Sequence, residues 1–163
     1  MKASNRRFYA MLGGTSALVI GGVAATIVVV FSGGGSSAGP TRAQYFARVA
    51  VVCRTYGAKL DKIPAPADIA APGEVLTSVQ QALPILESQT RTMRALRPPD
   101  SLRSKVERWL ALNDRVIAEL RSALLGARRR DIGAMGGAFI RYRVAGLAAR
   151  KLGAEIGFPS TDC

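Results

Sequence analysis

The sequence predicts an all-α protein: a single N-terminal transmembrane helix plus an antiparallel four-helix bundle-like extracytoplasmic domain. Three observations predict it. Residues Phe8 to Phe31 form an uncharged run of 24 residues. Beyond a Gly/Ser-rich stretch, apolar residues recur at steps of three and four, the period of an amphipathic helix. No segment shows the strict alternation of a half-buried strand, and no internal repeat stands out.

Lys2, Arg6 and Arg7 are the only charged residues before residue 41. A helix over 8–31 would be about 36 Å long, enough to cross a hydrocarbon core of ~30 Å. The positive-inside bias keeps residues 1–7 in the cytoplasm and places 41–163 outside the cell membrane, as a single-pass signal anchor. The alternative is a cleaved signal peptide, with Ser36-Ser37-Ala38 at the cut and a secreted product. Its apolar core spans roughly 7–15 residues, far fewer than this run. No cysteine follows the run to accept a lipid. Gly13, Ala17, Gly21 and Ala25 recur every fourth residue on one helix face. That spacing lets two membrane helices approach closely and would support a homodimer through the anchor, although Gly and Ala are common in membrane helices anyway. Residues 32–40 read as a flexible tether.

Four amphipathic stretches follow. The first runs from Thr41, a suitable N-cap, to about Asp61, with Tyr45, Val49, Val52, Tyr56 and Leu60 on its stripe and Phe46 and Cys53 widening it. Ile63 to Gly73, with three prolines, is a loop. The second covers about 74–96, with Leu76, Val79, Leu83, Leu86, Met93 and Leu96 facing inward. Pro84 interrupts it, so a kink or a break into two helices is expected. Asp100 or Ser101 caps a third helix over 101–128, carrying Leu102, Val106, Trp109, Leu110, Val116, Ile117, Leu120 and Leu124. Arg103/Glu107 and Arg115/Glu119 are i, i+4 pairs on its surface. Asp131 caps a fourth, about 132–152, with Ile132, Met135, Phe139, Tyr142 and Leu152 inward. Gly136-Gly137 weakens its middle and Gly153 is its expected stop. Short connections make these an antiparallel bundle.

The first 40 residues hold no acid, which leaves 20 basic and 11 acidic side chains, a net charge of +9, in residues 41–163. Histidine is absent, removing the commonest general base and metal ligand. The carboxylates are scattered, and no serine has a base partner. No metal, cofactor or catalytic residue is therefore assigned, and an enzyme is not expected. The two cysteines, Cys53 and Cys163, suggest one structural disulfide in an exported chain. It would close a loop of about 110 residues, worth on the order of 4–5 kcal/mol on chain-entropy grounds.

Arg128-Arg129-Arg130 is the densest run of charge. Cations there also suit the C-terminal end of a helix dipole. If Arg141, Arg143, Arg150 and Lys151 lie beside them, the seven form a patch for an anionic surface, either lipid headgroups or a wall polymer. Nucleic acid is not expected outside the cell, and no aromatic residues alternate with these arginines for stacking on bases.

Tyr56 just after Cys53, the stretch Leu96-Arg97-Pro98-Pro99, Trp109 in a long helix, Leu152-Gly153 and a cysteine near the C-terminus make a recognisable combination. In these features residues 41–163 resemble a group of uncharacterised actinobacterial membrane-anchored or secreted small helical proteins. The resemblance implies an extracytoplasmic helical domain with one disulfide, and brings no activity. The expected function is that of a non-enzymatic membrane-anchored envelope protein whose basic helical domain binds a protein or an anionic envelope component. The alternative is a small hydrolase or ligand-binding module with a pocket in the helical bundle.

Overall fold

The computed structural model describes residues 39–68 and 70–159. The run 8–31, its Gly13/Ala17/Gly21/Ala25 face, most of the tether and Cys163 lie outside the described residues. Those described are all-helical and contain no strand: α1 (Arg42–Leu60), α2 (Pro72–Ala95), a 3-10 turn (Asp100–Leu102), α3 (Arg103–Arg128) and α4 (Ile132–Ile156). Among the described residues, no helix is long and apolar enough to cross a membrane.

The helices form a bundle in which each neighbour reverses direction. Tyr56 near the end of α1 meets Ser88 and Thr92 of α2, and Leu60 shares a cluster with Ala82. Arg94 and Glu87 of α2 reach Asp114 and Arg121 of α3, so α2 descends as α3 rises. Between α3 and α4, Gly126 lies on Met135 and Trp109 on Gly153. One apolar cluster gathers Tyr45, Val49, Cys53, Met93, Val106, Trp109, Ile156 and Phe158 at the end where the described chain begins. A second, around Val75, Val79, Leu120, Leu124, Met135 and Tyr142, fills the other end.

Local chemistry sets the helix ends. Thr41 Oγ1 accepts the Gln44 amide at 3.3 Å, and Gln44 Oε1 accepts the Thr41 amide at 3.0 Å, which is a capping box. Pro72 occupies the first turn of α2, where its missing N–H costs nothing. Asp131 accepts the Ala134 amide at 2.9 Å and opens α4. Gly157, at φ 96, closes it, and the Phe158 amide donates back to the Gly153 carbonyl at 2.9 Å.

Five expectations need correction or narrowing. Of the two outcomes expected at Pro84, a kink or a break, the break is absent, because α2 is one helix. Both Pro84 and Gln80, whose carbonyl loses its partner, are exposed, so water can serve that carbonyl. Neither Asp100 nor Ser101 caps α3: the N-cap is Leu102, and Asp100 pairs with Arg103 instead. The second surface pair also changes partner, because Glu119 is taken by Arg141 of α4 at 2.8 Å. Gly153 is an internal contact against Trp109, and α4 continues to Ile156. Ile132 faces water.

Met135 and Tyr142 of α4 are buried as expected, but small residues make up much of the rest of its inner face. Its buried line includes Ala138, Ala145, Ala149 and Gly153, with Met135, Tyr142 and Ile156 among them. Small residues there, opposite Ala123, Gly126 and Ala127 of α3, let the two backbones approach closely. A Cβ on Gly126 would sit 2.7 Å from the Met135 amide nitrogen. The larger aliphatic residues are left outside: Ile140, Val144 and Leu147 are 66%, 64% and 56% exposed.

Candidate functional site

Arg128 ends α3, and Arg129 and Arg130 make the turn into α4, Arg130 at φ 55. All three are exposed. Arg150 and Lys151 lie in the last two turns of α4, at the opposite end of the bundle. The helix from Ile132 to Arg150, nineteen residues, separates the two groups by roughly 27 Å. Arg141 is engaged by Glu119, while Arg143 is exposed midway. The seven basic residues therefore do not form one patch. They form two end groups, with the paired Arg141 and the exposed Arg143 between them.

What lies between those groups is apolar. Ile140, Val144 and Leu147 follow one another at steps of four and three, a line along the outer face of α4. Lys151 continues that line one turn on, and Arg143 borders it. Glu155 is the single acidic side chain in α4. The sequence carried part of this signal, since α4 has apolar residues on more than one side, Ile140, Val144 and Leu147 at one set of positions and Met135 and Tyr142 at another. The expected inward line of Ile132, Met135, Phe139, Tyr142 and Leu152 left Ile140, Val144 and Leu147 unassigned.

A cleft of about 460 Å³ opens between the end of α2 and the start of α3. Val106 and Leu110 form its apolar wall, and Arg94, Arg97, Arg103, Glu107 and Asp114 its rim. Its lining includes no serine, threonine or cysteine. Arg94 is tied to Asp114 at 2.7 Å, and Arg103 to Asp100. Among the described residues no cluster of acids and cysteines could hold a metal ion.

Tyr56 and Tyr45 are shifted in opposite directions. Tyr56 Oη lies 2.9 Å from both Ser88 Oγ and Thr92 Oγ1, and these hydrogen bonds lower its pKa from the ordinary 10. The Lys59 ammonium sits 4.7 Å from its ring centre. These groups satisfy one another and join α1 to α2. Tyr45, only 1% exposed, has a hydroxyl without a hydrogen-bond partner among the described residues, and burial raises its pKa to about 12.

Cys53 is fully buried beside Val49 and Met93. No described cysteine is free. Compared with known protein families, curated proteins and solved structures, the chain has no match.

Proposed function

We propose that this is a non-enzymatic, single-pass envelope protein whose helical domain docks an envelope component through the outer face of α4. The component is another envelope protein or an anionic surface. The observation that carries the reading is the uncovered line Ile140, Val144 and Leu147 between two groups of cations. Side chains of this size are normally spent on a core, and an exposed apolar strip bordered by charge marks an interaction surface. In this reading the uncharged run 8–31 holds the chain in the membrane, and residues 41–163 lie outside. A Cys53–Cys163 disulfide fits that side of the membrane: Cys53 is not a free thiol, and the chain has two cysteines.

A photo-crosslinking residue at Val144, compared in cells with one at Arg115 on the exposed surface of α3, tests the docking face. Val144 is expected to give a discrete adduct that Arg115 does not. Equal, diffuse labelling from both positions would remove the basis of the reading.

A further inference from the structure

We infer that the outer face of α4 lies on the anionic lipid surface of the membrane to which the protein is tethered. The inference rests on the membrane-anchored reading above and names the partner of the same face.

Charge decides between the occupants this strip could have. A second copy would bring a domain of net +9 against another of net +9, with Arg143 of each near the shared centre. An anionic surface reverses the sign of that term, and each nearby Lys or Arg then adds to the attraction. The layout of the face agrees. Ile140, Val144 and Leu147 form its apolar middle, Lys151 and Arg143 border them, and Arg128 to Arg130 extend the cations beyond the start of α4. A helix with apolar side chains on one line and long cationic side chains beside it is built for a bilayer interface. Its aliphatic groups enter the headgroup layer while the cations reach phosphate.

The route of the chain supports the same partner over a soluble acidic protein. The Arg42 guanidinium donates to the Ile156 carbonyl at 3.4 Å, so the residues leading out of the bundle toward the tether leave beside the C-terminal end of α4. Nine residues, 32–40, can reach at most about 30–32 Å even when fully extended. The face is thus kept within reach of the bilayer, and a weak surface preference is enough to hold it there.

A nitroxide on Val144→Cys, in the full-length protein reconstituted into vesicles, reads this directly. Arg115→Cys is the control, and both positions are exposed, so the fold is not disturbed. With phosphatidylglycerol mixed into phosphatidylcholine, the label at 144 is expected to be severalfold more accessible to oxygen, relative to a water-soluble nickel complex, than the label at 115. In pure phosphatidylcholine, or with Arg143→Glu and Lys151→Glu added, that difference should vanish. A label at 144 as open to nickel as the one at 115 in both vesicles overturns the inference. Equal burial at 144 in both vesicles overturns its anionic requirement. If the label stays in water while the crosslinker at Val144 captures an envelope protein in cells, the lipid assignment fails and the docking face stands. If neither reports a partner, both readings fail.

Discussion

Tyr45 is the residue at which the core is least well satisfied. Its ring packs against Phe46 and Phe158, at centroid distances of 5.9 and 6.3 Å, while its hydroxyl is buried without a partner among the described residues. An unpaired buried hydroxyl costs about 1–3 kcal/mol. Tyr45→Phe is therefore expected to stabilise the fold by roughly 1 kcal/mol, seen as a higher urea midpoint with an unchanged slope. The same group makes stability fall with alkali. Its folded pKa of about 12 lies above the ordinary 10. The unfolded chain thus loses this proton first, and stability is lost as pH rises from 10 toward 12. Burial pushes Tyr142 in the same direction, while Tyr56 is shifted the opposite way. The Phe variant should reduce the alkaline loss and not abolish it. Apolar spacing made Tyr45 legible as a core residue. The fate of its hydroxyl depends on which side chains from other helices come near, and no local pattern records that.

At the scale of elements, the helices were readable to within a few residues where side chains cap them, as at Thr41 and Asp131. Legibility failed where long-range packing decides. In α2 the buried line runs through Val75, Ser78, Val79 and Ala82, so Leu76 and Leu83, expected to point inward, are only partly covered. In α4 Met135 and Tyr142 are buried as expected and Phe139 and Leu152 partly so, but Ile132 is exposed, and Ala138, Ala145, Ala149 and Gly153 fill the rest of the buried line because close approach to α3 requires small residues. Two glycines separate these effects. Gly126→Ala places its Cβ against the Met135 backbone and should cost about 1–3 kcal/mol. Gly136→Ala meets nothing within 4 Å and should stabilise α4 by up to about 1 kcal/mol. Thermal denaturation of the two variants checks the contrast. A matching effect at both sites would mean that α3 and α4 are not packed as closely as described.

For the whole molecule, the all-helical class followed from periodicity, and the reversing order from short connections. The proposed docking face did not follow. The seven basic residues were legible singly, but only the antiparallel packing of α3 and α4 sends Arg128–Arg130 and Arg150–Lys151 to opposite ends. The proposed Cys53–Cys163 bond acts at this scale too. Reduction should lower the melting temperature of the full chain, and Cys53→Ser should lower it similarly while abolishing any further response to reductant. The chain-entropy ceiling is about 4–5 kcal/mol, and engineered bonds often deliver less. A melting temperature insensitive to reductant in the unsubstituted protein would exclude the bond.

The meeting of α1's first turn with the end of α4 also decides how the molecule bears force. Arg42 contacts Ile156, and Phe46 and Phe158 stand edge to face 6.2 Å apart. Tension between the two ends of the described chain therefore acts across one seam and not along the helices. It prises Tyr45 and Phe46 from Phe158 a few contacts at a time, where a pull along the bundle would have to shear whole helices past one another. Such a seam yields first under load, and a covalent link from Cys53 to the tail would shunt the strain away from it.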